Sequence, residues 1–176
     1  MTELRTLRLK LRPVSARDLD QVTALGADPR VMAALGGPLT ALESRAWLER
    51  QLGHIAEHGY GRQVVECEGQ FIGLVGLSRG DFDRGLVPGI EVAWRLAFAH
   101  WGRGYATEAA RAVIEQGFTC FDLREVIAVT TVDNRRSRRV MERLGMRPSP
   151  AETFDHPLLS DGDPLQRHVV YRLGRP

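Results

Sequence analysis

Trp101-Gly102-Arg103-Gly104-Tyr105-Ala106-Thr107-Glu108-Ala109 stands where a strand should end and a helix should begin. Upstream, residues 90–96 (IEVAWRL) form a short apolar-rich run with a β-branched start. Downstream, Ala106, Ala109, Ala110, Val113, Ile114 and Phe118 recur at helical spacing, with Glu108, Arg111 and Glu115 between them. Gly102 and Gly104 carry no Cβ, so backbone N–H groups there can close on a ligand. The first turn of a helix has unpaired N–H donors and the positive end of the dipole, and both favour phosphate. Arg103 adds a charge at the rim. The stretch reads either as a pyrophosphate cradle or as an ordinary tight turn into a helix.

The rest of the chain supplies the context. Residues 7–12 alternate apolar and basic side chains before Pro13, a first strand with one solvated face. Leu19, Val22 and Leu25 predict a short helix closed near Gly26. Asp28-Pro29 opens another, running to Leu35 and stopped by Gly36-Gly37-Pro38. Thr40 and Glu43 have capping-box spacing, and the helix they open runs through Trp47, Leu48, Leu52 and Ile55 to Gly59. Residues 63–67 and 71–77 flank the turn Glu68-Gly69-Gln70 as a hairpin. The Gly-rich segment 80–89 should be a surface loop. After the 101–109 stretch and its helix, residues 126–132 predict a buried strand and residues 134–144 a helix capped by Gly145. A loop-rich tail then leads to a last strand at 168–173. This order implies a mixed sheet, antiparallel at one end and holding a βαβ-like crossover at the other.

A chain of 176 residues, 43% of them hydrophobic, suits one domain spanning residues 1–176. No apolar run reaches the length of a membrane span, and the start Met1-Thr2-Glu3-Leu4-Arg5 lacks the apolar core of a signal peptide, so a cytoplasmic location with no membrane partner is expected. Cys67 and Cys120 read as free, mostly structural thiols, and no Cys/His spacing forms a metal site. A net charge of +2 is too small to imply nucleic acid, and no aromatic residues interleave the Arg135–Arg139 cluster. His54-Ile55-Ala56-Glu57-His58 spells a zinc-protease pattern, but it abuts a helix end and lacks a third ligand, which favours helix-terminal histidines at the negative dipole end.

Among phosphate-binding folds, a dinucleotide site needs a third glycine where Thr107 stands and an all-parallel sheet, and the lysine-containing P-loop is absent. Trp101 to Ala106 instead resembles the acyl-CoA cradle of the GNAT superfamily of N-acetyltransferases, (Q/R)-x-x-G-x-(G/A), matching at Gly104 and Ala106 with Trp101 in the leading polar position. The wording W-G-x-G-Y-A-T-E-A is similar to the ribosomal-protein-alanine N-acetyltransferase branch. The segment Val132-Asp133-Asn134-Arg135-Arg136-Ser137, continuing to Leu144-Gly145-Met146, is similar to the superfamily's N-x-x-S helix. The resemblance implies an α/β (α+β) fold: a mixed, mostly antiparallel central sheet with a splayed parallel strand pair, flanked by helices. It also implies acetyl-CoA as co-substrate and an amine acceptor, a protein N-terminus or a small molecule, with a homodimer as a possibility.

The resemblance assigns site residues as well. Main-chain groups of Trp94, Arg95 and Leu96 would hold the pantetheine arm, and free N–H groups there could meet the developing oxyanion. Trp101, Gly102, Arg103, Gly104, Tyr105, Ala106 and Thr107 would form the cradle, with phosphate contact resting on backbone N–H groups because Trp101 removes a polar side chain. Asn134 would contact the cofactor, although its chemistry equally suits a helix N-cap. Ser137 would approach the CoA sulfur and steady the thiolate by a hydrogen bond. The tyrosine acid carried by many relatives is replaced by Val140 or Met141. Attack requires a neutral amine. Glu91 is the candidate base, with a solvent-facing strand carboxylate as the other reading, and His100 is a weaker choice. Arg135 with Arg138 or Arg139 could reach the cofactor's 3′-phosphate, or form a solvated basic face. Asp155, His156 and His168 are candidates for acceptor binding by location.

Overall fold

The structure is a computed structural model that describes residues 1–79, 87–157 and 159–176. Most of the expected 80–89 loop lies outside the described residues. In chain order the strands and helices are β1 (Leu4–Arg5), β2 (Leu9–Pro13), α1 (Leu19–Ala27), α2 (Pro29–Met32), α3 (Ala41–His58), β3 (Arg62–Cys67), β4 (Gln70–Arg79), β5 (Ile90–Leu96), α4 (Tyr105–Cys120), β6 (Glu125–Thr131), α5 (Arg135–Arg143), β7 (Arg147–Pro148), β8 (Phe154–Asp155) and β9 (Arg167–Gly174).

Local chemistry sets these boundaries. The Thr40 hydroxyl accepts from Glu43 N–H while the Glu43 carboxylate accepts from Thr40 N–H, so α3 begins on a closed capping box. It ends at Gly59, whose φ of 75° is the left-handed conformation glycine tolerates best. Glu68 and Gly69, both at positive φ, make the two-residue turn between β3 and β4. Helix α2 stops at Met32, short of the expected Leu35. The strand expected at residues 7–12 also begins later, at Leu9, as β2. Leu7 is 94% exposed, because Thr6 and Arg8 on either side are both drawn onto the Glu108 carboxylate.

The sheet order is β1-β2-β3-β4-β5-β6-β9-β7, with β8 also on β9, and among the described residues every pairing is antiparallel except β5 with β6. This is the expected mixed architecture. The short strands β1, β7 and β8 carry too few residues for a periodic signal. Period-2 alternation divides the side chains between two faces. Leu9, Leu11, Val75, Leu77, Val92 and Leu96 meet Ala109, Ala110, Val113 and Ile114 of α4 and Met141 of α5. Val64 and Leu74 meet Val22 and Leu25 of α1, Met32 of α2, and Trp47 and Leu48 of α3 on the other side. Cys120 is a free thiol, as expected, but lies exposed at the end of α4, a correction to its reading as structural.

Candidate active site

Strands β5 and β6 share a single bridge, Glu91 with Ile127, and separate beyond it, so the parallel pair is splayed. The other edge of β5 stays paired with β4 from Ile90 to Leu96. Ala97 N–H bonds Ile72 O on β4. Because successive peptide groups alternate across a strand, the N–H groups of Trp94 and Leu96 turn the opposite way, into the splay. Their side chains pack with the α4 core, so main-chain donors and core packing coexist at these residues.

At the end of β5 the chain makes a short turn at 98–100 and enters α4 through Gly102 (φ 75°) and Gly104 (φ 81°). The first backbone bond of α4 runs from Glu108 N–H to Gly104 O, so the N–H groups of Tyr105, Ala106 and Thr107 lack an i−4 carbonyl. Thr107 Oγ1 and His100 Nδ1 are buried here without a hydrogen-bond partner among the described residues. These donors and orphaned polar atoms at a helix N-terminus beside a splayed strand fit a pyrophosphate with its pantetheine arm. The cradle is braced from behind. Glu108 accepts from the Thr6 hydroxyl at 2.6 Å and from Arg8 Nε at 2.7 Å. Burial pushes its carboxyl upward, but these donors outweigh it and hold it below the ordinary carboxylate range. Arg8 also donates to Arg103 O and covers the Tyr105 ring.

Trp101 has a use that its place in the motif did not reveal. Its indole N–H donates to Leu96 O at 2.7 Å, and the Arg136 guanidinium lies 4.9 Å from its ring centroid. The residue thus ties the end of β5 to the first turn of α5. Asn134 is the N-cap of α5: its Oδ1 accepts from Ser137 N–H and its amide donates to Thr130 Oγ1. Ser137 is half-buried on that first turn. Arg138 turns inward, donating to Val132 O and the Tyr171 hydroxyl. Arg135 and Arg139 are exposed.

On the sheet face opposite α4 lies a cavity of about 460 Å³. Glu91, Ala93 and Arg95 of β5 line it, joined by Trp47 of α3, Val129 of β6, and His156 and His168 from the tail. The two histidine rings are 5.3 Å apart, and His168 Nδ1 lies 3.0 Å from Gln166 O. Asp155 is exposed and pairs with Arg167, so of the three tail candidates only the histidines reach the cavity. Arg62 also lines it, and no local pattern marked that residue. Its side chain crosses β4 over Gly76, and only the three-dimensional pairing of β3, β4 and β5 brings it to Ala93.

His54 is occupied structurally. Its Nδ1–H donates to Tyr60 O and its Nε2 accepts from Arg79 N–H, which fixes the neutral tautomer and clamps the end of α3 to the end of β4. Among the described residues no group of three His, Cys, Asp or Glu side chains could hold a metal ion. Burial pushes the His54 pKa below 6.5, aided by His58 and Arg62, against the Tyr60 bond and Glu57. A histidine depressed in the folded state contributes its full stability above the unfolded value and loses it as pH falls through 6.5 toward the folded value. Urea unfolding should therefore show lower stability at pH 5.5 than at pH 7.5, and His54→Gln should flatten that slope. An unchanged slope would remove His54 as its source.

The acetyltransferase (GNAT) domain model matches residues 8–147. The FsC-acetyl coenzyme A-N(2)-transacetylase of Aspergillus fumigatus is 32% identical over 160 residues, covering 86% of this chain and 66% of that protein. An acetyltransferase from Agrobacterium tumefaciens superposes with a TM-score of 0.81 at 30% identity, over 99% of this chain and 95% of its own. A ribosomal L7/L12 alpha-N-protein acetyltransferase in complex with coenzyme A shares the fold, with a TM-score of 0.78 over 96% of this chain and 95% of its own at 15% identity. No described helix is long and apolar enough to cross a membrane. The single-bridged strand pair, the glycine-entered helix and the extent of these matches place the chain in the GNAT acetyltransferase family.

Proposed function

We propose that the chain, acting as one domain, transfers acetyl from acetyl-CoA to a primary amine by direct attack in a ternary complex. The acceptor is a small amine or a protein N-terminus. The observation that carries the reading is the splay itself: unpaired β5 donors open beside the α4 cradle, with Glu91 on the face where an acceptor can enter. Acetyl-CoA supplies an activated carbonyl and a good leaving thiol. The N–H groups of Trp94 and Leu96 offer hydrogen bonds to the carbonyl side. Glu91, directly or through water, takes the proton that the amine must lose. Ser137, with a hydroxyl too weakly acidic for full proton transfer, steadies the departing sulfur by a hydrogen bond. Neither cysteine lines the cavity, which favours direct transfer over a covalent acyl-enzyme.

A second reading is a catalytically weak acyl-CoA-binding module. Its support is the missing tyrosine acid, because Met141 is buried in the core at that part of α5. Free-thiol release from acetyl-CoA across a panel of amines and peptides separates the two: turnover supports the transferase, and binding without turnover supports the module. Gly104→Val should weaken CoA binding by about tenfold, since a β-branched residue at φ 81° costs on the order of 1–3 kcal/mol and crowds the donors. Calorimetry of CoA binding checks this, and an unchanged Kd would place the pyrophosphate elsewhere.

A further inference from the structure

Among the described residues the sheet cavity is lined by more arginines than carboxylates. Arg50, Arg62 and Arg95 line it with Glu43 and Glu91. Glu43 is already engaged by the amide and hydroxyl of Thr40 at the start of its own helix. Arg62 is the unusual group. It is only 8% exposed, and its guanidinium rests on neutral oxygens: Gly76 O at 2.7 Å, Ser78 Oγ at 3.2 Å and Ala93 O at 3.4 Å. No carboxylate pairs with it among the described residues. A buried charge without a counter-charge is costly, so a cation fixed in a cavity wall is prepared for an anion from outside the chain.

Arg95 extends this site along β5. Period 2 puts Glu91, Ala93 and Arg95 on one face, and Arg62 reaches the middle of the three. The Arg95 guanidinium lies 5.0 Å from the Trp47 ring centroid, with Nη1 3.6 Å from Met32 Sδ. The arrangement runs from a carboxylate at the β5–β6 bridge to two guanidiniums farther along β5, Arg95 lying beside the splay, a span of roughly 13 Å from Glu91 to Arg95. A cavity of this volume takes a small ligand.

Resting on the transferase reading above, we propose that the acceptor is a small primary amine that also carries a carboxylate, bound by Arg62 and Arg95 with its amino group toward Glu91. The amine nitrogen forms the C–N bond to the acetyl carbon as the C–S bond of acetyl-CoA breaks. The amine proton passes to Glu91 and then to solvent, and the thiolate takes a proton to leave as CoA thiol. Guanidinium and carboxylate make charge-assisted, often bidentate contacts, so a neutral or cationic tail of the same length should be disfavoured.

The test compares 4-aminobutyrate, n-butylamine and 1,4-diaminobutane as acceptors, by free-thiol release at saturating acetyl-CoA. The expected kcat/KM for 4-aminobutyrate exceeds that for butylamine by about tenfold or more, the size of one charge-assisted contact, with the diamine poorest. Arg95→Gln should shrink that ratio through the KM for 4-aminobutyrate, and Arg62→Met should do the same if it folds. CoA affinity of Arg95→Gln, measured separately by calorimetry, should match that of the unsubstituted chain, because any contact of this residue with the pantetheine arm is main-chain and the substitution changes only the side chain in the cavity. Equal turnover of all three amines, or preference for the diamine, overturns the acceptor assignment and leaves acetyl transfer standing. A ratio that survives Arg95→Gln, or a loss of CoA affinity in that variant, also overturns it, because the guanidinium would then serve neither the carboxylate nor the acceptor alone. Absence of turnover with every amine while CoA binds overturns both this proposal and the transferase reading.

Discussion

Gly76→Ala is expected to destabilise the fold by about 3 kcal/mol, at the upper end of the usual cost of overpacking, and to lower the thermal midpoint by roughly 6–12 °C. A Cβ at this position would stand 2.2 Å from Gly61 O and 2.6 Å from Arg62 Cα. Both are backbone atoms of the chain entering β3, so no side-chain rotation relieves the clash, and the two strands would have to part. The cost would reach the cavity as well, because Arg62 lies over Gly76 and donates to its carbonyl. Gly53→Ala is the control: an added Cβ there meets nothing within 4 Å, and alanine should stabilise α3 by up to about 1 kcal/mol. Thermal unfolding of the two variants side by side checks the claim. A Gly76→Ala midpoint equal to that of the unsubstituted chain would mean that β3 and β4 do not approach so closely.

Glu91→Gln is expected to lower kcat by about a hundredfold, the ordinary scale for loss of a positioned general base. Glutamine keeps the shape of the side chain and its place at the β5–β6 bridge, so acetyl-CoA affinity should be unchanged. The deficit should narrow as pH rises toward the acceptor amine's own pKa, where the neutral amine no longer needs a base. Steady-state rates from pH 7 to 10 with a simple amine give both readouts. A kcat within twofold of the unsubstituted enzyme would remove Glu91 from proton transfer and leave a water relay or His100 in its place.

The features legible in the sequence are those written within a few residues of each other. The 101–109 stretch could be read because two glycines and a helical repeat sit together, and the helix starts where that reading placed it. Thr40 with Glu43 and Glu68 with Gly69 are equally local. What escaped depends on contacts between distant segments. Arg62 is separated by 31 residues from the Ala93 carbonyl it reaches, and His54 by 25 from the Arg79 amide it accepts. Trp101 looked like a lost polar contact, since nothing in the motif shows that its indole would turn back onto Leu96 O. Arg138 looked available on a basic helix until the fold of β9 brought Tyr171 beneath it.

The most direct test of the central assignment is a crystal structure with CoA bound. The pyrophosphate is expected against the N–H groups at the start of α4, near Gly104 and Thr107, with the pantetheine arm between β5 and β6 and its sulfur toward Ser137. CoA bound with its pyrophosphate away from α4, or outside the β5–β6 splay, would contradict the assignment.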